Sequence, residues 1–405
     1  MSAPRRVRAG WLLDGTGGPI LRDVLLELQD ERIATIRDAT DEQSGTRFSA
    51  DFAGCTLVPG LVDSHCHLFM SGTADPHVRE RQLRADFQSM KEVIAGHIRQ
   101  QLAHGVVAVR DGGDYGGYAL RYKQQVLANE ATALRMMVAG KAWRAARRYG
   151  RLIGRTPKRG FSLAQSIIGE YEGIDHIKIV NSGLNSLLTY GKETAPQFTA
   201  GELKEAVAVT GRLGLKMMIH ANGRHPVRAA IAAGCQSIEH GFFMGADNLA
   251  RMAERGVVWV PTAFTMKAYA ETFSPGLRES EIAKRNFDHQ IAQLSRAREY
   301  GVSIALGTDA GSLGVHHGEA MRYEIDALLS AGFSLENAVR CATWNGAVLL
   351  GVEHELGKLT PGMPATFVVA KGPPQKLPRS LRSPHEIWVR GARQEPRAIR
   401  LSGHV

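Results

Sequence analysis

Leu61-Val-Asp63-Ser-His65-Cys-His67 is a short apolar run that ends on two histidines. In an extended segment, residues i and i+2 point to the same side, so His65 and His67 can grip one cation. Seven further apolar runs follow: Val106–Val109, Leu134–Ala139, Ile177–Val180, Lys216–Ile219, Gln236–Ile238, Val257–Val260 and Ser303–Leu306. Between most of them lie stretches with helical periodicity, such as Met90–Ala103, Ala200–Leu213, Pro226–Ala233 and Ile282–Tyr300. The runs are continuous rather than alternating, as expected of strands buried on both faces. Apolar runs that alternate with helices predict an α/β fold, and eight of them suit a closed (β/α)8 TIM-like barrel over residues 59–358. Neither an internal repeat nor a low-complexity segment interrupts this pattern.

Outside that span the pattern changes. In residues 1–58, Val24-Leu-Leu-Glu-Leu, the polar break Asp30-Glu31-Arg32 and Ile33-Ala-Thr-Ile read as a hairpin. In residues 359–405, Thr366-Phe-Val-Val-Ala and Glu386-Ile-Trp-Val-Arg-Gly-Ala flank a proline-rich loop. Two β-rich ends around a different middle imply that the termini meet in a small composite β-sandwich domain.

Composition narrows the classes. Of 405 residues, 44% are hydrophobic and 22% charged, which excludes disorder for the bulk of the chain. The formal net charge is +10. Much of the excess sits in Lys141 to Arg159, which carries Lys141, Arg144, Arg147, Arg148, Arg151, Arg155, Lys158 and Arg159 without an acid. No nucleic-acid motif accompanies the charge, so a nucleic-acid partner is not expected. Cys55, Cys66, Cys235 and Cys341 are far apart and form no CxxC pair, which suggests neither a thiolate zinc site nor disulfides and suits a reducing cytoplasm. The N-terminus has no apolar signal-peptide core, and no window of about 18 apolar residues predicts a membrane span. A cytoplasmic enzyme with a small-molecule substrate is the expectation.

The chemistry sits where the runs end. Run one delivers His65 and His67, run four carries Lys178, run five ends at His220, run six at His240, and run eight leads to Asp309 in Leu306-Gly-Thr-Asp-Ala-Gly. Barrel enzymes build their sites at the C-terminal ends of strands. A lone histidine at a strand end is more often a hydrogen-bonded structural residue, but a set at one level of five strands is hard to attribute to chance. Most other histidines fall in helical or loop segments. Lys178 is the oddity, because a lysine inside a buried apolar run is costly unless paired or modified. A salt bridge to Asp309 and a CO2-derived carbamate are the two explanations; only the second makes it an anionic metal ligand.

These pieces resemble the amidohydrolase superfamily: Val58-Pro-Gly-Leu-Val-Asp-Ser-His-Cys-His, Gly173-Ile-Asp-His-Ile-Lys-Ile-Val-Asn-Ser-Gly, Ile219-His220-Ala, Ser237-Ile-Glu-His240-Gly, Leu306-Gly-Thr-Asp309-Ala-Gly and the closing Gly357-Lys-Leu-Thr-Pro-Gly-Met-Pro-Ala. Within it the chain is most similar to the binuclear Xaa-Pro dipeptidase (prolidase-like) and metal-dependent carboxypeptidase group; imidazolonepropionase is a mononuclear relative. The resemblance implies two divalent metal ions, zinc first by ligand chemistry with manganese, iron or cobalt as alternatives. His65, His67 and Asp309 would hold one, His220 and His240 the other, and carboxylated Lys178 and a hydroxide would bridge them. Asp309, Lys178 and His240 form the implied catalytic set, with Asp309 moving the proton. The implied reaction is hydrolysis of an amide or peptide-type C–N bond in a small, carboxylated molecule such as a dipeptide or N-acyl amino acid. A lactone, a phosphotriester or an aminated ring are the alternatives on the same centre. A metal-free homologue would have lost ligands, and here all six are present.

Two departures mark the substrate side. Asn222 stands where prolidase-like relatives tend to carry His or Tyr, and Gly140-Lys-Ala-Trp143 replaces a Gly-Gly-His turn. The basic stretch after run three would be a lid in which Arg144 and Arg147 clamp an anion, or else a solvated helix face or a contact in a homo-oligomer. Asn222, His225, Tyr115 and His317 are the other candidates for touching substrate. Arg110-Asp111-Gly-Gly-Asp114-Tyr115-Gly-Gly lacks phosphate-loop spacing and reads as a flexible strand-end loop. Met217 and Met218 read as core.

Overall fold

The computed structural model describes residues 4–39, 47–128 and 132–394. It begins with four strands, β1 (Arg5–Leu12), β2 (Leu21–Gln29), β3 (Arg32–Asp38) and β4 (Ala50–Pro59). β2 and β3 form the expected hairpin, with Leu28 opposite Ile33. Asp30, at the turn, takes a positive φ of 53°, a conformation that Asp tolerates better than most residues.

β4 leads almost directly into β5 (Leu61–Cys66), with Gly60 between them. A Cβ at Gly60 would lie 2.5 Å from Val107 Cγ2 and 3.0 Å from Thr366 Cγ2, so glycine is required for this close junction. β5 pairs in parallel with β6 (Val106–Asp111), and β6 with β7 (Arg135–Val138). A second parallel sheet holds β8 (Ala142–Trp143), β9 (Gly154–Arg155), β10 (His176–Val180), β11 (Lys216–Ala221), β12 (Ser237–His240) and β13 (Val258–Val260), in the order β13-β12-β11-β10-β8-β9. β5, β6, β10, β11 and β12 are buried almost throughout, which explains their continuous apolar composition.

Hydrogen bonds join the two parallel sheets at both seams. The Asp175 amide donates to Val138 O at 2.9 Å, and the Asp175 carboxylate accepts from the Val138 amide at 2.7 Å and from Lys123 Nζ. On the other side, Trp259 N donates to Ser303 O, Ala305 N to Trp259 O, and Ser64 N to Leu306 O. The run Ser303–Leu306, expected as a strand, therefore lies between β13 and β5 but makes only an isolated bridge, at Ile304. Its ladder breaks because the Leu306 amide donates instead to the carbonyl of Cys341.

The C-terminal strands β14 (Phe367–Lys371), β15 (Glu386–Val389) and β16 (Ala392–Gln394) return to the first sheet. β14 lies antiparallel to β4, with Val368 opposite Val58, giving one seven-stranded sheet ordered β16-β15-β14-β4-β1-β2-β3. Both ends of the chain thus build one sheet. Phe367 stacks on Trp388 beneath it, at 5.3 Å between ring centroids.

Helices cover the parallel strands. The helix Phe87–Ala103 starts earlier than its apolar periodicity predicts because the Asp86 carboxylate caps it by accepting from Ser89 N. The helix Ala200–Arg212 opens on a reciprocal capping box between Thr199 and Glu202 and buries Leu203, Ala206, Val209 and Thr210. Met217 and Met218 are fully buried, as core residues.

Two segments differ from their sequence reading. Residues Arg110 to Asp114 are not a flexible loop. They are buried, and Asp111 accepts from the amides of Leu68 and Gly113, both at 2.8 Å. The basic stretch is not a helix face either. It contains β8 and β9, paired in parallel, and Trp143 packs beneath the Arg155 guanidinium at 4.2 Å. Arg155 and Lys158 share Glu170, an acid from outside the stretch, which offsets part of its charge.

Candidate metal centre

Strand ends set the site. His65 is the penultimate residue of β5 and His67 directly follows the strand, Lys178 lies in β10, His220 in β11 and His240 at the end of β12. Asp309 follows the Ser303–Leu306 segment, and its amide donates to His65 O at 2.7 Å. All six side chains line one cavity of about 220 Å3. Among the described residues, ligand atoms of His65, His67 and Asp309 lie within 4.8 Å of one another. Asp309 Oδ1 is 3.4 Å from Nε2 of each histidine, and Lys178 Nζ is 3.4 Å from His65 Nε2. The His220 and His240 rings are 4.5 Å apart, and those of His240 and His65 4.9 Å.

This convergence is held under backbone strain. His240 and Asp309 take positive φ, 68° and 55°. Such conformations cost about 1–3 kcal/mol each and persist only where the surroundings over-determine them. Here the His240 carbonyl accepts from Trp259 Nε1 at 2.9 Å and from Gln290 Nε2 at 2.6 Å.

The partners of each ring fix its free nitrogen. His67 Nδ1 faces Gly113 O at 2.9 Å and His220 Nε2 faces Gly183 O at 3.1 Å; a carbonyl can only accept, so both nitrogens carry the proton. His65 Nδ1 faces the Glu239 carboxylate at 3.0 Å. This assigns lone pairs to His65 Nε2, His67 Nε2 and His220 Nδ1. Burial is the first reason all four imidazoles stay neutral: it lowers His67 to about 4 and His220 to about 3, and takes His65 and His240 well below their usual range. Neutral imidazole is the ligating form.

Burial also lowers the Lys178 amine to about 8, against the opposing pull of Glu239 and Asp309. It raises the Asp309 carboxyl to about 7, against the cationic amine of Lys178. A buried carboxylate amid neutral imidazole lone pairs is a donor set matched to a divalent cation, and imidazole with carboxylate oxygen suits zinc-like ions.

Two residues passed over in the sequence support this set. Glu239 is fully buried, and its second oxygen accepts from Arg110 Nη2 at 2.9 Å and from the Ser237 hydroxyl. Arg110 donates further to Ser64 O at 2.7 Å. Their signal in the sequence is the one that singles out Lys178: a charge inside an apolar strand.

The residues expected to touch substrate divide. Asn222 lines a smaller adjoining chamber of about 90 Å3 with Leu187, Phe242 and Met266, although its Oδ1 is taken by the Phe242 amide. Tyr115 does not line the cavity; its hydroxyl donates to Leu83 O and its ring packs against Phe69. His317 is buried outside it, stacked on His97 at 4.1 Å and donating to Met70 O. His225 is exposed on the helix Arg224–Ala233. Arg144 donates to the carbonyls of Ala145 and Arg148, and Arg147 points to solvent; neither lines the cavity. The basic stretch does reach the site, but through Tyr149, Leu152 and Ile153. A cationic residue that lines it is Arg79, absent from the sequence-based candidates.

A larger cavity of about 530 Å3 lies near the start of β6 and β7, lined by Val107, Arg135, Glu355 and Thr366 among others; among the described residues its wall holds no histidine, cysteine or aspartate. It is distant in character from the ligand cluster. Among the described residues, no helix is long and apolar enough to cross a membrane.

Comparison with known proteins fits this geometry. A family model described as "Amidohydrolase family" matches residues 56–394. Ochratoxinase of Aspergillus niger is 25% identical over 437 residues, covering 95% of this chain and 85% of the relative. Imidazolonepropionase of a Polaromonas species is 25% identical over 401 residues, covering 88% of this chain and 82% of the relative. Among solved structures, a Xaa-Pro dipeptidase with bound methionine in its active site superposes with a TM-score of 0.82 at 24% identity, covering 97% of this chain and all of that one. Aspergillus niger ochratoxinase superposes with a TM-score of 0.78 at 19% identity, covering 96% of each chain.

Proposed function

This chain belongs to the amidohydrolase family, and from that premise we propose that it is a metal-dependent hydrolase that cleaves an amide-type C–N bond in a small, carboxylated molecule. The observation that carries the reading is that six side chains, from four parallel strands and the segment that follows Ser303–Leu306, line one cavity, with His65, His67 and Asp309 within mutual coordination reach. The hydrogen bonds at both seams between the parallel sheets support a (β/α)8 barrel as the scaffold. Relatives named for hydrolysis of dipeptides and of ochratoxin support the bond class.

Two divalent ions, zinc in the first instance, would be held by His65, His67 and Asp309 and by His220 and His240, with carboxylated Lys178 shared. When bound, such a pair supplies water of lowered pKa and polarises the carbonyl. The chain does the rest. Glu239 keeps His65 in the tautomer that offers Nε2. Lys178, lowered to about 8 by burial, has a neutral amine fraction near neutral pH. That amine can add to CO2 and release one proton, leaving a carbamate anion. Asp309 is raised to about 7 by burial, which suits a group that takes a proton and returns it to the leaving nitrogen. Its Oδ2 is anchored by the Ser312 hydroxyl at 3.0 Å, while Oδ1 faces the two imidazoles. Phe69, Leu152 and Leu313 line the cavity with apolar surface, which limits water around the reacting groups.

The test is turnover of N-acyl amino acids and dipeptides by zinc-loaded protein, with Asp309→Asn alongside. Hydrolysis by the wild type, reduced by roughly 100-fold or more in the variant, is expected. Turnover that survives in Asp309→Asn, or that is absent across both substrate classes, contradicts the reading.

A further inference from the structure

We infer that Arg79 is the anion-recognising residue of this site, taking the carboxylate of an amide substrate whose remaining groups are apolar. The inference rests on the hydrolase reading and adds which residue selects the substrate. Arg79 sits on the helix Pro76–Arg84, whose N-terminus is capped by Asp75. It is half-buried and lines the same cavity as the six candidate ligands. Its Nη1 donates to Ser71 O at 2.7 Å and to Gly311 O at 3.2 Å. These bonds tie the guanidinium to the loops that follow β5 and Asp309. Nε and Nη2 have no acceptor, and no carboxylate forms an ion pair with Arg79, among the described residues.

A structural latch needs only the Nη1 edge. The other edge is a fork of donors matched to the two oxygens of a carboxylate. Leaving a partly desolvated guanidinium without an acid is unfavourable, and an anionic ligand would relieve it. The rest of the wall says what else the ligand carries. Phe69, Tyr149, Leu152, Ile153 and Leu313 surround the cavity, and Leu187, Phe242 and Met266 the adjoining chamber. Arg144 and Arg147, the arginines that sequence reading favoured, do not line the cavity. The chemistry therefore fits an N-acyl amino acid with an apolar side chain.

The test compares N-acetylleucine with N-isopentylacetamide, which keeps the amide and side chain but lacks the carboxylate. Binding of each to zinc-loaded wild type, Arg79→Met and Arg79→Lys is measured by calorimetry, with thermal melting to confirm that each variant is folded. Wild type is expected to favour the anion by about 10-fold or more, Arg79→Met to lose that preference, and Arg79→Lys to recover part of it. An unchanged preference in Arg79→Met, equal weakening of both ligands, or no binding of either overturns the inference. Turnover is scored separately. Arg79-dependent binding without hydrolysis defeats the hydrolase reading and leaves this inference standing; hydrolysis without carboxylate preference does the reverse.

Discussion

Glu239 Oε2 lies 3.0 Å from Nδ1 of His65, and both side chains are fully buried. The contact fixes which nitrogen His65 presents to the cavity, and Arg110 holds the carboxylate from its other side. Supporting partners of this kind are worth about 10–100-fold in metal affinity. Glu239→Gln should therefore weaken zinc binding by that order in a competition titration, with the fold retained by circular dichroism. Glu239→Ala should also destabilise the protein by about 3–5 kcal/mol, because it leaves the Arg110 guanidinium buried and unpaired. Unaltered zinc affinity in Glu239→Gln would count against the positioning role.

Lys178 gives a prediction about CO2. If its neutral amine becomes a carbamate, apo-protein offered zinc in CO2-free buffer should take up less metal than the same protein with bicarbonate. Lys178→Met should bind less zinc in either buffer and respond to neither. Equal uptake by wild type with and without bicarbonate would argue for lysine as a plain ion-pair partner of Asp309.

Glu324 gives a prediction about pH. Its carboxyl is fully buried, accepts from the amides of Ala263 and Phe264, and is pushed up to about 8 by burial. The folded form thus holds a proton that the unfolded chain, with a carboxyl near 4.5, has already lost. Between those values the folded state binds more protons, so this group lowers stability as pH rises. Glu324→Gln removes the dependence. Its melting temperature relative to wild type should climb steadily from pH 5 to pH 8, where a flat difference would contradict the buried, protonated acid.

Gly60 joins the seven-stranded sheet to the parallel strands with a clearance that no Cβ can enter, 2.5 Å from Val107 Cγ2. Gly60→Ala should cost about 1–3 kcal/mol through overpacking. Chemical denaturation measures it directly. A companion Val107→Ala should recover part of the loss by opening space, and additive losses would show that the junction is not the cause.

Much of this was legible in the sequence. Continuous apolar strands and ligand-type side chains at strand ends are local signals, and the local chemistry is what fixes them. The hairpin of Val24–Leu28 with Ile33–Ile36 was readable for the same reason. What escaped depends on distant partners. Ser303–Leu306 looks like a strand, yet the Leu306 amide is claimed by Cys341, which no periodicity reports. Asp111 and its glycine neighbours read as loop because glycine signals turns, while the order of the segment comes from the Leu68 and Gly113 amides that donate to the Asp111 carboxylate. The basic stretch suggested an arginine clamp. Arg144 and Arg148 are taken up by backbone carbonyls, Arg147 is exposed, Arg155 pairs with Glu170, and the stretch's apolar residues reach the cavity instead. Arg79 went unnoticed because one of three arginines on a polar helix carries no mark until the fold brings it to the cavity that Asp309 also lines.

The most direct measurement is metal content by elemental analysis of protein loaded with zinc and dialysed, for wild type and for His65→Ala and His220→Ala. The account requires about two ions per wild-type chain and a loss of bound zinc in each variant, with the folded far-ultraviolet signal kept. Wild-type protein that retains no zinc, or variants that retain as much as wild type, would contradict it.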